Sequence, residues 1–286
     1  MDRTTAGWGS GLLGIMIFSG SLPATRVAVA DFSPMFLTSL RAVIAAVLGA
    51  AFLFTLQQTR PVRGDLVPLA IVALGVVVGF PLLTALALQH ITAAHSIVFI
   101  GLLPLATAIF GVLRGGERPQ PAFWLFSLLG AATVAGFALS RSDSGSVVGD
   151  LLMIAAIVLC GLGYAEGATL SRRFGGWQVI SWALLLSLPM TAMIALFTLP
   201  AGWGSVGVPA WISLAYVSIF SMLIGFLFWY RGLALGGIAG VGQLQLLQPF
   251  FGLTLAALLL HEPVAWTMIA STAVVVLCVA GAKRFA

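Results

Sequence analysis

The chain predicts an all-α polytopic membrane protein, with ten transmembrane helices in two five-helix inverted-topology repeats around a central cavity. Composition, spacing and an internal repeat point to it. Of 286 residues, 60% are hydrophobic and only 7% charged, at a mean hydropathy of +1.13; water would not hold such a chain as a soluble globule. Apolar windows of about 20 residues, the length that crosses a hydrocarbon core of about 30 Å, recur from end to end. One phrase of the sequence returns at a fixed offset in the second half.

The windows cover residues 7–30, 34–56, 66–90, 94–113, 121–140, 149–171, 177–199, 209–233, 239–260 and 264–282. The first reads GIMIFSGSLPATRVAVA. Its hydroxyls Ser19, Ser21 and Thr25, and the carbonyl that Pro23 leaves without a donor, need partners in protein or water, so this helix belongs inside the bundle beside a cavity. Ala28 to Ala30 mimic a signal-peptidase site, but Pro23 and Arg26 interrupt the run before it, and Arg3 is opposed by Asp2. The helix is expected to be retained. Arg41 lies a few residues into the second window; Arg26 and Arg41 are expected to pair with Asp31 or with lipid headgroups rather than to bind a carboxylate.

The third window and the start of the fourth carry Pro81, Thr84, Gln89, His90 and His95. Both histidines fall at a short external connection, where an interfacial role is expected. Their spacing is unlike HExxH and no Cys or acid cluster accompanies them, so neither a metal nor any other cofactor is implied. Thr84 and Phe99 are candidate cavity residues. The fourth window closes as LPLATAIFGVLRGGERP, with Pro104 near its start and Glu117 at its end. Between the fifth and sixth windows the linker SRSDSGSVVG is the longest polar connection, which leaves no room for a soluble domain.

In the sixth window, LCGLGYAEGATLSRR places Tyr164 and Glu166 within apolar sequence. A carboxylate inside a span is a candidate functional group by default, for a substrate amine or a proton; the plainer reading is that it reaches toward Arg172 and Arg173 at the helix end. The eighth and ninth windows run as FLFWYRGLALGGIAGVGQLQLLQPF. Gln245 and Gln248, three apart, share a helix face and are expected to line the cavity, with interhelical hydrogen bonding as the rival role. Trp229 is a candidate wall residue or a member of the interfacial aromatic belt. The tenth window ends in the basic tail Lys283, Arg284. Cys160 and Cys278 fall inside apolar spans as small packers. Four GxxxG patterns, beginning at Gly75, Gly163, Gly232 and Gly236, suit close packing within one chain, so a monomer is expected.

Shifting LPLATAIFGVLRGGERP by 145 positions carries Pro104 onto Pro249 and Glu117 onto Glu262, and the residue just before it, Leu102, onto Leu247. Outside the phrase, Leu88 falls on Leu233 and Gly136 on Gly281. Five spans per half is an odd number, so the second half enters the membrane inverted, the plan by which transporters alternate access to a midplane site. The division is residues 1–140 as the first repeat, 141–148 as an external linker and 149–286 as the second repeat with its cytoplasmic tail. Each glutamate is expected to cap and hydrate the entry to the next helix. Pro23, Pro104 and Pro249 are candidate hinges. With the N-terminus inside, ten of the 13 Lys and Arg residues flank spans on the cytoplasmic side and only Arg141 lies outside, placing both termini in the cytoplasm. The net charge of +5 thus reports topology and contact with lipid, not nucleic acid.

Ten spans as five plus five, an early proline and a terminal glutamate in the fourth helix of each half, and a basic tail after Gly281 resemble the drug/metabolite transporter superfamily, specifically its EamA-type exporters. The resemblance runs from Gly7 to Arg284 and, within the family, the sequence looks like bacterial exporters of amino acids, aromatic ones among them. It implies a bacterial inner-membrane exporter of small metabolites, with a cavity bordered by helices 1, 3, 4, 6, 8 and 9 and with helices 5 and 10 at the periphery. An intramembrane enzyme would need a nucleophile and base or a metal constellation, and neither is found in the sequence. A channel would need a polar stripe across the membrane, whereas polar residues cluster in helices 1, 6 and 9. No P-loop is present, so ATP does not drive the cycle directly.

Overall fold

In the computed structural model, which describes residues 2–91, 96, 99–139, 146–200, 202–204, 206–252, 254 and 266–286, every regular element among the described residues is helical. Helix α1 spans Arg3–Ala28 and breaks at Gly20; α2 is Pro34–Thr55 and α3 Arg63–Ala87. Then follow α4 (Leu103–Gly115), α5 (Pro121–Leu139), α6 (Val147–Phe174) and α7 (Gly176–Phe197). Helix α8 is Val208–Gly236, α9 begins as Ile238–Gly242 and tightens to 3-10 over Gln243–Leu247, and α10 is Trp266–Phe285. Six of these, α1, α2, α3, α6, α7 and α8, are long and apolar enough to cross a membrane, and α4 and α5 are shorter apolar helices. His95, Glu262, Arg141 and linker residues 141–145 lie outside the described residues.

Local chemistry sets the boundaries. Ser33 accepts from the Phe36 backbone N–H at 3.2 Å while Pro34 takes the first helical position, where its missing donor costs nothing. The corners from α6 to α7 and from α8 to α9 are each a single glycine, Gly175 at φ 98° and Gly237 at φ 92°, a region that side chains with a Cβ avoid. The break in α1 is satisfied from the other half of the chain: the Tyr216 hydroxyl donates to the Ile17 carbonyl at 2.5 Å, and Gln248 Nε2 donates to the Phe18 carbonyl at 3.4 Å. Helices α3 and α8 each widen into a π segment, Ala73–Gly79 and Tyr216–Ile224. A shift of 145 positions carries the first onto residues 218–224, inside the second.

Helix α1 packs along α8, α3 along α6, α2 along α7 and α5 along α10, while α4 lies between α6 and α9. Glycines permit the closest crossings. A Cβ on Gly232 would lie 2.6 Å from the Gly11 backbone, and one on Gly75 would lie 2.6 Å from the Leu159 carbonyl. Gly163 and Gly167 face Gly75 and Tyr230 in the same way, so the glycine patterns serve packing within the chain. Apolar side chains such as Phe52, Phe54, Leu113 and Leu277 stand on the outside, as in a protein whose outer solvent is lipid.

Candidate functional site between the two halves

Several of the polar groups that the spans cannot present to lipid meet at one cavity. The first half contributes Ser21, Thr25, Arg41 and Thr84, and the second half Tyr164, Ser221 and Gln248. Phe18, Leu22, Val76, Phe80, Leu103 and Phe226 complete an apolar wall. Its volume is about 50 Å³, far below the roughly 300 to 1,000 Å³ of an open small-molecule site. The lining helices leave little room between them.

Of the residues singled out in the sequence, Ser21, Thr25, Thr84, Tyr164 and Gln248 meet here. The others stand elsewhere. Ser19 turns back on its own helix and donates to the Ile15 carbonyl at 2.7 Å. Phe99 is partly buried against the main apolar core. Gln245 is fully buried and donates to Thr107 Oγ1 at 3.2 Å and to the Gly242 carbonyl at 3.0 Å. The two glutamines share a strip of α9, but α4 covers Gln245 at the level of Thr107, whereas Gln248 meets α1 and the cavity a turn further on.

Trp229 belongs neither to the cavity wall nor to an interfacial belt. It is 0% exposed, because Gly11 and Gly14 let α1 close over it. Its ring backs Tyr164 at 5.4 Å and Phe18 at 6.3 Å, two residues that do line the cavity. Among the candidate hinges, Pro23 is exposed and Pro104 and Pro249 are buried. Pro104 occupies the first turn of α4, just past a turn at Gly101 and Leu102, and Pro249 follows the 3-10 segment of α9.

Arg41, expected from the sequence to pair with Asp31 or with headgroups, is a cavity residue. It is 6% exposed and points into the cavity instead of pairing with Asp31, because Asp31 turns to the opposite half and accepts from the Gly207 backbone N–H at 2.8 Å. Arg41 Nη2 donates to Ser221 Oγ at 3.3 Å, and Ser21 Oγ donates to the same oxygen at 2.7 Å. Its depth of seven residues past Pro34 was the available signal. For Ser221 the signal was a second hydroxyl three residues after Ser218 in an apolar span.

One end of the bundle is tied by charge. Glu166 pairs with Arg114 and not with Arg172 or Arg173, since Gly161 brings α4 onto α6 at Ala106 and Thr107. Arg172 instead meets Glu117 at 3.0 Å, and Arg173 meets Asp65 at 2.8 Å. Glu117 also accepts from the backbone of Ile238 and Ala239, so it caps α9 and not the following helix α5. Each of these contacts joins the first half to the second. At the opposite end, Phe32, Phe36, Trp203 and Trp211 form an aromatic cluster with ring centres 5.2 to 5.9 Å apart.

Comparison with known proteins likewise finds one pattern in each half of the chain. The profile of the EamA-like transporter family matches residues 6–139 and again residues 147–282. A Bacillus subtilis protein described as the uncharacterized transporter YdeK is 64% identical over 286 residues, covering all of both chains. A probable terminal-alkyne amino-acid exporter of Streptantibioticus cattleyicolor is 23% identical over 254 residues, 88% of this chain and 84% of that one. A solved crystal structure shares the fold over all of both chains, with a TM-score of 0.82 at 21% identity. The chain belongs to the EamA-like transporter family of the drug/metabolite transporter superfamily.

Proposed function

We propose that the protein is a secondary exporter of small metabolites, amino acids and aromatic ones among them, which carries its solute by alternating access between two inverted five-helix repeats. The observation that carries this reading is the cavity between the halves, whose polar residues come from both of them. The two-repeat plan, residues 1–140 and 149–286 around the linker 141–148, is supported by the π segments at matching positions and by the twice-matched family profile. The packing supports it too: exchanging the halves turns the α1 and α8 pair into α6 and α3, and returns the α2 and α7 and the α5 and α10 pairs to themselves.

The amino-acid assignment draws on the resemblance to exporters such as YddG and on the name of the Streptantibioticus relative. In the cavity, hydroxyls and an amide suit a polar solute head, and Phe18, Phe80 and Phe226 suit an apolar side group. The protein acts as a monomer in the inner membrane, with both termini on the cytoplasmic side. That side is the end with Arg114, Arg172 and Arg173, by the retention of positive charge inside. Proton coupling through Glu166 is a second reading, favoured by a carboxylate only 4% exposed within a span.

The test is uptake of labelled aromatic and small amino acids into proteoliposomes with and without a pH gradient. Protein-dependent uptake of any of them supports the assignment, and folded protein that admits none removes it. A gradient response that disappears in Glu166→Gln would establish the second reading.

A further inference from the structure

We propose that the cavity holds its solute by a carboxylate received by Arg41, so that the transported class is organic acids, with or without an amino group. The inference rests on the transporter reading above and adds the chemistry of recognition. Arg41 sits about 10 Å along α2 from Pro34, at about 1.5 Å per residue. A guanidinium carries five N–H donors. Among the described residues only one has a protein acceptor, the Nη2 bond to Ser221, and the buried Nε has none. A buried cation without a counter-charge is costly, and an anion that enters beside it relieves that cost.

No carboxylate stands among the described lining residues. The carboxylates that might have served are committed elsewhere: Asp31 to Gly207, Asp65 to Arg173, and Glu166 to Arg114. The neighbouring hydroxyls are donors in waiting. Ser21 and Ser221 share one hydrogen bond at 2.7 Å, so whichever of them donates it, the hydrogen of the other is uncommitted among the described residues. The Thr84 hydroxyl, also buried at the cavity, has no partner among the described residues. A planar fork with hydroxyl donors beside it matches a carboxylate, which can take two parallel N–H bonds. An ammonium finds no such counterpart among the described lining residues.

Three matched probes separate the charges: 3-phenylpropionate has only the carboxylate, phenylalanine has both groups, and phenethylamine has only the amine. Each is added to the purified full-length protein and the shift in its unfolding temperature is read. The two carboxylates are expected to raise it and phenethylamine to leave it unchanged. Arg41→Gln is expected to fold at least as well as the parent without ligand, because it removes a buried charge that has no counter-charge among the described residues, and to lose both shifts; Arg41→Lys keeps a reduced one. Stabilisation by phenethylamine equal to that by the acids, no response to either acid, or an undiminished response in folded Arg41→Gln would each overturn the proposal. Should Arg41→Gln fail to fold, Arg41→Lys with an undiminished response to both acids and Ser221→Ala with one likewise would overturn it. Uptake of uncharged solutes in the face of such results would leave the transporter reading standing. Parent protein that moves no solute of any class would remove that reading instead.

Discussion

The Glu117 carboxylate accepts the backbone N–H of Ile238 at 2.7 Å, with Ala239 on its second oxygen at the same distance. A side chain from the end of α4 thereby caps a helix of the other half. Gly116, in the left-handed conformation at φ 68°, turns the chain so that Glu117 faces the α8 to α9 corner and not α5. Donors at a helix start are well matched by an anion. Glu117→Ala is expected to cost about 1 to 2 kcal/mol, the upper part of the capping range, and to lower the unfolding temperature in detergent. An unchanged melting curve would remove the capping role.

Arg173 with Asp65, and Arg114 with Glu166, join the halves at the same end. The carboxylates are buried while the arginines are more than one-third exposed, so solvent weakens each pair. Double-mutant cycles with Asp65→Asn and Arg173→Gln, and with Glu166→Gln and Arg114→Gln, should each give a coupling of about 1 kcal/mol. Couplings near zero would mean that these contacts do not hold the halves together.

Gln245 and Gln248 should separate by phenotype. Gln245→Ala removes the bond to Thr107 and is expected to lower stability by about 0.6 to 1.7 kcal/mol, the span for interhelical hydrogen bonds, with KM for the transported solute unchanged. Gln248→Ala should raise KM with little loss of stability. The opposite split, read from uptake kinetics and thermal unfolding of the same two variants, would place the solute against Gln245.

Gly232 tests the α1 and α8 crossing. A methyl group there meets the Gly11 backbone, and Gly232→Ala is expected to destabilise by about 1 to 3 kcal/mol. Gly9 has open space around its Cβ position, so Gly9→Ala should be neutral or stabilising by roughly 0.5 kcal/mol, from the greater freedom glycine loses on folding. Equal melting temperatures for the two variants would contradict the close approach.

Much of this molecule could be read directly. Runs of apolar residues, a basic bias at one side and a phrase repeated 145 positions later are local or periodic properties, and the family resemblance and the helical character followed from them. Glycine patterns signalled close packing because a missing side chain is visible in any register. The identity of the cavity residues was different. Nearly apolar helices have no polar face to reveal which side meets protein and which meets lipid, so spacing alone set Gln245 beside Gln248 and left Arg41 near Asp31. Tertiary structure decided that Asp31 bonds the backbone at Gly207, that α4 covers Gln245, and that Trp229 lies behind Tyr164. The first two outcomes depend on which helices from opposite halves come into contact and the third on how α6 and α8 meet within one half, and a pairing between residues far apart in the chain is written in the shape of both partners, not in either stretch alone.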